Sequence, residues 1–445
     1  MNKKIGFISL GCAKNLTDTE TMVGILAQNG FEITADATEA HVIIVNTCAF
    51  IDSAKEESIS AILEMAQLKE NNCELLVVTG CLAQRYKDEI QNELPEVDII
   101  LGTNDYPSVA KAIDDFYKEG IKTSKVSHED TPVSYELPRV TTTPFYSAYL
   151  KIADGCDNFC TYCIIPKLRG KFRSRPMESI IDEAKSLAKS GVKEVILVAQ
   201  DTACYGKDIG SSLDKLLKEL GKIDGIEWIR LQYSYPENIT DDLIDEISSN
   251  KKVVKYLDMP LQHISDNILK RMGRRSRQAK VEELITRLRQ RIPDLCIRTS
   301  LITGFPGETQ NDFETLKEFI AKYRIDKVGV FTYSREEGTA AYNYDDQIDE
   351  ETKEKRRDEL MKLQMGISLS INNSKIGTKV KAIIEGYDED EFCYVGRCSF
   401  DTPDVDGMAF IYSEDELNAG DITEIEIIDF SEYDIVGKTV SRKDD

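Results

Sequence analysis

The sequence lacks any apolar run that approaches the roughly 18–20 residues a membrane-spanning helix needs. Its beginning, Met1 to Leu10, has only a short apolar stretch, which is typical of a first strand and not of a signal peptide. We therefore expect a cytoplasmic protein that acts without a membrane and keeps its thiols reduced. The 11 cysteines are an odd number, which argues against a complete disulfide framework. The explanations that remain for these cysteines are metal binding, catalysis and core packing.

The chain also lacks an excess of positive charge: 56 Lys and Arg stand against 79 Asp and Glu, for a formal net charge of −23. Non-specific nucleic-acid binders usually present a basic face, because neutralising phosphates drives their binding. The balance disfavours that class and suits a basic partner. The net charge is −11 over residues 1–140, zero over residues 141–372 and −12 over residues 373–445. This asymmetry predicts three units with different roles.

We place these units at residues 1–130, 141–372 and 373–445. Thr131 to Pro144 is rich in Thr and Pro and has no helical or strand period, so it is predicted to be a linker. The second boundary follows a charged helical stretch, Glu350 to Ile371, and opens on Asn372-Asn373-Ser374.

The first unit alternates β-rich runs with helical stretches, which indicates a parallel sheet in an α/β domain. The predicted strands are Lys4–Leu10, His41–Asn46, Glu74–Thr79 and Asp98–Leu101, and the helices fall near Thr17–Asn29, Ser53–Leu68 and Tyr86–Asn92. Sites in such sheets lie beyond the carboxyl ends of the strands.

Three cysteines of the first unit, Cys12, Cys48 and Cys81, each follow one of these strands. A single Cys of this kind is usually a buried core residue. Three at equivalent strand ends favour a shared site, and Gly11 and Gly80 allow tight turns there. Three thiolates without an evident fourth ligand suit a [4Fe-4S] cluster with one open iron, and a three-Cys zinc site is the competing metal.

The middle unit carries the strongest motif: Cys156, Cys160 and Cys163, in the spacing C-x3-C-x2-C directly after a predicted strand, Ala148–Ala153. This spacing wraps one loop around a cuboidal cluster and leaves one iron without a protein ligand. A structural zinc would usually take a fourth protein ligand, and His128 and His263 are far away in sequence.

Five further βα units follow the motif, so the unit is predicted to be a partial parallel barrel, a (β/α)6 relative of the TIM barrel. The predicted strands are Glu194–Ala199, Trp228–Tyr233, Tyr256–Met259, Cys296–Ile302 and Lys327–Thr332, and helices between them include Glu178–Lys189, Ile239–Ser248, Lys280–Arg291 and Asp312–Tyr323. The cluster loop then lies at the carboxyl end of the first strand, where barrel active sites lie. His263 is assigned no role, because a lone His is more often structural.

The cysteine motif resembles that of the radical S-adenosylmethionine (SAM) superfamily. The resemblance implies that the open iron binds the amino and carboxylate groups of SAM. An electron from the cluster then cleaves SAM to methionine and a 5′-deoxyadenosyl radical. It also implies SAM contacts in the cluster loop, at strand ends and in the glycine-containing segment Thr303 to Glu308, for which an ordinary turn is the alternative interpretation. These are Tyr162, Gln200, Gln262, Gly304, Gly307 and Glu308.

The third unit alternates short β runs with turns, which indicates a small antiparallel β-barrel. It resembles the TRAM domain, a barrel often linked to RNA. Its acidic residues would repel phosphates and attract a basic protein, although acidity also simply aids solubility. They include Asp388, Glu389, Asp390, Glu391, Asp401, Asp404 and Asp406. Two basic stretches of the middle unit, residues 167–175 and 270–277, keep an RNA substrate possible.

The order of the three units resembles the methylthiotransferase family along essentially the whole chain. The segment Ser9 to Glu20 resembles the branch that acts on ribosomal protein uS12, with Ala13 where Pro is more usual. The resemblance implies that Cys12, Cys48 and Cys81 hold one [4Fe-4S] cluster and Cys156, Cys160 and Cys163 another. Two SAM molecules would be used per turnover to place a methylthio group on the β-carbon of a uS12 aspartate, and an electron donor would be needed.

Two alternatives stay open from the sequence. One is a tRNA adenosine methylthiotransferase, and the other is a non-enzymatic metal-binding scaffold that docks on the ribosome. For the enzyme, both clusters must lie near one substrate carbon, so we expect the strand tips of the first and second units to face each other.

Overall fold

The first sheet is parallel throughout, and its strand order reverses next to β1. The computed structural model describes residues 3–128, 131 and 135–440. The strands are β1 (Lys4–Ser9), β2 (Glu32–Thr34), β3 (Val42–Thr47), β4 (Leu75–Gly80), β5 (Ile99–Leu101) and β6 (Ser124–Lys125), and the helices are α1 (Ala13–Gln28), α2 (Asp52–Gln67), α3 (Cys81–Arg85), α4 (Lys87–Glu93) and α5 (Val109–Glu119). The order β2-β1-β3-β4-β5-β6 places a topological switch point between β1 and β3. Ligand crevices form at such points.

The predicted parallel sheet of this unit is confirmed, with four additions. The sequence analysis did not predict β2, β6, α3 or α5. The two strands are short and lie at the sheet edges, and β2 is mostly exposed, so neither shows the buried apolar run that marks β3 and β4. Helices α1 and α5 pack on one face around Met22, Ile44 and Ile113, while α2 covers the other face through Ile62.

The middle unit is a six-stranded parallel sheet, as predicted. Its elements are β7 (Ser147–Lys151), β8 (Ala153–Asp154), α6 (Ile165–Arg169), β9 (Arg173–Ser174), α7 (Met177–Lys189), β10 (Glu194–Val198), α8 (Leu213–Leu220), β11 (Trp228–Leu231), α9 (Asp241–Ser249), β12 (Val253–Asp258), α10 (Asp266–Arg271), α11 (Gln278–Arg291), β13 (Cys296–Thr303), α12 (Gln310–Tyr323), β14 (Lys327–Thr332) and α13 (Glu350–Ser374). The order β14-β13-β12-β11-β10-β7 follows the chain, and the helices bury one face of the sheet.

The predicted first barrel strand is divided in two. After β7 the chain leaves the large sheet, and β8 pairs antiparallel with β9 instead. This small ribbon brackets the cysteine loop, because β8 precedes Cys156 and β9 follows α6. The loop is thus held at both of its ends by backbone hydrogen bonds.

The third unit is a closed five-stranded barrel. Its strands are β15 (Lys379–Asp388), β16 (Cys393–Cys398), β17 (Ala409–Tyr412), β18 (Ile422–Phe430) and β19 (Ile435–Thr439). All pairs are antiparallel except β17 with β19, which is parallel. Ile383 packs with Tyr146, Trp228 and Tyr256, so the barrel rests on the middle sheet near the amino-terminal ends of its strands.

The connections between the three units make specific contacts in the residues that the structure describes. In the predicted linker, Arg139 forms ion pairs with Glu20 of α1 and Glu183 of α7 at 2.5 and 2.6 Å. Residues 132–134 of that linker lie outside the described residues. Helix α13 runs to Ser374, three residues beyond the predicted end, and its N-cap Asp349 accepts from the Thr352 backbone N–H at 2.8 Å. The predicted boundary at residue 373 falls inside this helix and stays a prediction.

Candidate active site

The first cysteine triad lies at the carboxyl ends of β1, β3 and β4, beside the switch point. Gly11 adopts φ +88°, and a Cβ there would lie 2.8 Å from the Cys48 Cβ, so Cys48 packs directly against the turn that carries Cys12. Gly80, at φ +92°, passes as closely over β3, because its Cβ would meet the Asn46 Oδ1 at 2.3 Å. Both turns require glycine.

The three thiols of this triad share one electrostatic environment. Cys12 reaches solvent, but many protein atoms lie around its thiol. This partial burial would by itself raise the pKa of Cys12. Lys14 and Arg169 outweigh that effect and lower the pKa of Cys12 below its usual value. Burial raises the pKa of Cys81 to about 12, with Arg169 opposing and the other two thiols adding to the shift.

The second triad lies in the loop between β8 and α6. The Cys156 backbone N–H donates to the Gly170 carbonyl at 3.0 Å, and the Cys163 N–H donates to the Cys160 carbonyl at 3.0 Å, so the loop folds back on itself. Burial, followed by the charge of the other two thiols, raises the pKa of Cys163 well above its usual range. Phe159, between two of the cysteines, has φ +47° and is 64% exposed.

The donor set of each triad suits a cuboidal iron–sulfur cluster. Such a cluster takes each thiolate on a different iron, so three thiolates leave one iron open. Each triad offers three free thiols, and a glycine at positive φ lies beside Cys12, Cys81 and Cys156. These residues therefore fit that group.

A buried group of four charges joins the two triads. The Arg169 guanidinium donates to Asp18 of α1 at 2.7 Å and to Asp154 of β8 at 3.3 Å. Lys151 donates to the same two carboxylates, at 2.5 and 3.5 Å. Burial alone would raise the pKa of Asp154, but Arg169 and Lys151 hold it well below its usual range.

Arg169 also reaches the first triad directly. It donates to the Asn15 side-chain oxygen at 2.5 Å, and that oxygen lies 3.9 Å from the Cys81 sulfur. Asp154, its partner on the other side, is followed by Gly155 and Cys156. The strand tips of the first and second units therefore face each other, with one ion network between the two cysteine triads.

The residues predicted to contact SAM lie around the second triad. Some of their polar atoms have hydrogen-bond partners within the protein, and others have none. The Tyr162 hydroxyl is buried without a hydrogen-bond partner, and its ring packs edge-on against Phe305 at 6.4 Å between centroids. Gln200 donates to Asp154 at 3.0 Å, while its carbonyl oxygen is buried and unpaired. Gln262 adopts φ +70° and pairs with Leu301 beside β13. Unpaired buried oxygens at the open end of a barrel suit a polar cofactor.

The segment after β13 is a tight turn that its own side chains hold. Gly304 has φ +70°, and a Cβ there would lie 2.2 Å from Lys353. Glu308 accepts from the Gly304 and Phe305 backbone N–H groups and pairs with Arg356 at 3.2 Å. Burial raises the pKa of Glu308 to about 7, with Arg356 opposing. Gly307 also has a positive φ, and a Cβ added there would clash with the side chains of Asp346 and Arg271.

Three buried residues at the site were not singled out as site residues from the sequence: Asn15, Asp18 and Lys14. Their signal was their place within two helical turns of Cys12. The partners of Asp18 could not be found in this way, because Lys151 and Arg169 lie 133 and 151 positions away from it. His263 is buried, and its Nδ1 accepts from the Ser265 N–H at 3.0 Å, which fits the structural role expected for it.

Comparisons with known proteins agree with this architecture. Residues 4–102 match Uncharacterized protein family UPF0004, residues 150–320 match the Radical SAM superfamily and residues 376–440 match the TRAM domain. A solved structure of the radical S-adenosylmethionine methyltransferase TsrM from Kitasatospora setae, with cobalamin and a [4Fe-4S] cluster bound, has a TM-score of 0.56. It is 14% identical over 75% of each chain, a likeness that concerns the fold alone.

A radical SAM barrel between a three-cysteine α/β domain and a TRAM barrel defines a radical SAM methylthiotransferase. The chain is 52% identical to the ribosomal protein uS12 methylthiotransferase RimO of Acetivibrio thermocellus, over 99% of both chains. It is 53% identical to the protein of that name from Clostridium botulinum strain Eklund 17B, over 98% of this chain and 97% of the relative. The chain belongs to the family of ribosomal protein uS12 methylthiotransferases, and the radical SAM fold supports an iron–sulfur cluster and SAM as its cofactors. None of the helices described is both long and apolar enough to cross a membrane.

Proposed function

We propose that this protein adds a methylthio group to the β-carbon of an aspartate in ribosomal protein uS12. The observation that carries the proposal is the joining of two cysteine triads, from two separate parallel sheets, by the ion network of Arg169, Asp18 and Asp154. A reaction that combines a sulfur group with a carbon radical needs two reactive centres beside one substrate atom. The family relationship supplies uS12 as the substrate.

We further propose two [4Fe-4S] clusters, one on Cys12, Cys48 and Cys81 and the other on Cys156, Cys160 and Cys163. When bound, the second cluster would pass an electron to one SAM and so supply the radical, a second SAM would supply the methyl group, and sulfide held at the open iron of the first cluster would supply the sulfur of the methylthio group. The three domains would be residues 1–130, 141–372 and 373–445, with the first two each contributing one triad. The electron donor comes from outside this chain.

The protein's own part is to bind, orient and exclude water. Tyr162 and Gln200 offer buried oxygens without partners for the polar groups of SAM. Gln262, Gly304, Gly307 and Glu308 would also line that site, and Glu308 holds the turn after β13 by accepting from two backbone N–H groups. Lys14 and Arg169 place positive charge beside the Cys12 thiol, which favours the thiolate that an iron ligand must be.

The structure also bears on the choice between a protein and a tRNA substrate. In the two basic stretches that suggested RNA, some arginines make internal ion pairs: Arg169 with buried Asp18 and Asp154, and Arg175 with Glu183. These two arginines are thus already paired within the protein. This favours uS12, which is basic as ribosomal proteins generally are, over the tRNA adenosine alternative.

A paired substrate assay tests the reaction. The reconstituted enzyme, with SAM and a chemical reductant, is given purified uS12 in one reaction and unmodified tRNA in another, and products are measured by mass spectrometry. We expect uS12 to gain the mass of one methylthio group in place of one hydrogen, on an aspartate. A methylthio group on tRNA, with uS12 unchanged, would reject the proposal in favour of the alternative.

Anaerobic iron and sulfide analysis tests the two-cluster count. We expect about eight irons per chain in the wild type, because each cuboidal cluster holds four. Cys12→Ala and Cys156→Ala should each lose one cluster and keep the other. Cys73→Ala is the matched control, because Cys73 is a buried thiol just before β4, at the opposite end of that strand from Cys81. Zinc alone at either triad would overturn the cofactor assignment.

A further inference from the structure

Lys14 is a buried lysine with no carboxylate partner. Its residue is 8% exposed, and its ammonium lies 3.8 Å from the centre of the Tyr233 ring. No hydrogen bond or ion pair joins this ammonium to any carboxylate in the part of the chain that the structure describes. An ammonium carries three N–H donors, and a ring face occupies at most one side of it. The remaining donors are free for another ligand.

The other two cations of the same region are already neutralised. Lys151 and Arg169 share Asp18 and Asp154, which makes a closed set of two positive and two negative charges. Lys14 forms an ion pair with neither carboxylate, and the negative charge that favours its charged form most is that of the Cys12 thiol. An ammonium buried without a carboxylate partner is costly, so Lys14 is suited to a ligand that brings a carboxylate.

Lys14 also lies where a substrate must come. It sits two residues after Cys12, in the first turn of α1, and Tyr233 follows β11 at the carboxyl end of the barrel. Its helix neighbours Ala13 and Leu16 pack on Tyr149 of β7, and the Tyr233 backbone is held at φ +59°. Such a conformation is strained for a large side chain and persists where surrounding structure demands it. The ammonium is thus fixed at the junction of the two domains that carry the triads.

We propose that the Lys14 ammonium binds the side-chain carboxylate of the substrate aspartate and so selects an acidic residue over a neutral one. The inference rests on the proposed function, in which the reacting carbon is the β-carbon of an aspartate. That carbon is one bond from the carboxylate, so a cation that binds the carboxylate also positions the C–H bond between the two centres. An adenine base has no negative charge at the corresponding place, so Lys14 would discriminate against it.

A different role for Lys14 would be to neutralise the thiolates of the first triad. That role predicts that its removal changes iron content or the redox potential of the first cluster, and affects every substrate alike. Recognition of the carboxylate predicts a loss confined to substrates that carry the carboxylate. The two roles are therefore separable by changing the substrate as well as the enzyme.

A double-mutant cycle makes this comparison. The reconstituted enzyme and Lys14→Met are each titrated with purified uS12 and with uS12 whose target aspartate is replaced by asparagine, and the four Kd values are measured by fluorescence anisotropy. We expect Lys14→Met to weaken binding of normal uS12 by about 10- to 100-fold, the range for a hydrogen bond between charged groups. The asparagine form should bind both enzymes equally. Both enzymes are compared at full iron content, because Lys14 also lies beside the Cys12 thiol and its loss is expected to affect that cluster whichever substrate is bound.

Two further variants of Lys14 and one control variant test whether the charge of the side chain is what matters. Lys14→Gln, whose amide can bind an aspartate or an asparagine, should also abolish the preference between the two substrates, and Lys14→Arg should retain it. Lys185→Met, which removes an exposed charge on α7, is the matched control and should leave all Kd values unchanged. If Lys14→Met weakens the binding of both substrates equally, the inference about Lys14 is wrong, while the proposed function still stands. If wild-type enzyme fails to modify uS12 at all, the proposed function fails, and the inference with it.

Discussion

Arg169 shows how one side chain can serve two sites. It is 2% exposed and donates to Asp18 and Asn15 of the first domain and to Asp154 at the start of the cysteine loop. Because all of these partners are buried, no water can replace the arginine. The positions of α1 and of the cysteine loop therefore depend on the same guanidinium.

Replacing Arg169 with Met should disturb both domains. Removal of one partner from a buried ion network costs about 3–5 kcal/mol, because the remaining carboxylates keep their desolvation penalty. We expect a loss of that size in the free energy of unfolding and a selective loss of iron from Cys12, Cys48 and Cys81. Urea denaturation and iron analysis measure these effects.

The control for this substitution is Lys167→Met, on the same helix, where the lysine is exposed and donates to the Gly338 carbonyl at 2.7 Å. It removes one positive charge without touching the network. Unchanged stability and full iron content in Arg169→Met would show that the network does not hold the first triad.

At the scale of elements, the cysteine loop depends on a close passage of two backbone segments. Gly155 has φ +78°, and a Cβ there would lie 2.0 Å from the Lys171 carbonyl oxygen. The residue directly after it, Cys156, donates to the Gly170 carbonyl. The loop can close only if residue 155 has no side chain.

Gly155→Ala is therefore expected to prevent the second cluster from assembling. Gly30→Ala is an unusually exact control, because Gly30 has nearly the same φ, +81°, but nothing within 4 Å of the added Cβ. Gly30→Ala should cost only the left-handed backbone penalty, about 1–2 kcal/mol. The difference between the two variants in iron content and unfolding free energy isolates the steric clash. Equal behaviour would refute this account of the loop.

The strands and helices that the sequence predicts best are those that bury a regular apolar pattern. β3 and β4 are continuous apolar runs, and C-x3-C-x2-C is a local motif, so both could be identified from neighbouring residues alone. The ion network could not, because Asp18 and Arg169 are separated by 151 positions. Nor could the strand division at Ile152, since the pairing of β8 with β9 depends on how the loop between them folds.

At the scale of the whole molecule, the acidic third unit divides its charges between two uses. Asp401 pairs with Lys327 of β14, and Asp406 accepts from the Tyr256 hydroxyl at 2.8 Å, so these two residues of the predicted acidic surface instead bind the barrel to the middle domain. Buried Glu194 of the middle domain also binds the two domains together, because it pairs with Arg397 of the third unit as well as with Arg230 of its own domain. Glu389, Asp390, Glu391 and Asp404 remain exposed.

The exposed acids should accelerate association with a basic protein. We expect the association rate with uS12 to fall as salt is raised, and to fall several-fold when Glu389, Asp390 and Glu391 are replaced by their amides, with little change in dissociation. Stopped-flow fluorescence measures both rates. Amide replacement of Asp114, Asp115 and Glu119 on α5 removes the same charge elsewhere and should have a smaller effect. Equal effects would show that only net charge matters.

Arg139 lies in the connection between the first two domains and pairs with a helix of each, Glu20 on one side and Glu183 on the other. Together with the Arg169 network, these ion pairs join the two domains at two places within the described residues. Because such contacts oppose a change in the relative position of the domains, we expect the turnover rate to be insensitive to solvent viscosity once substrate is bound. The spacing of the two cysteine triads would then be set when the chain folds and not by the arrival of substrate.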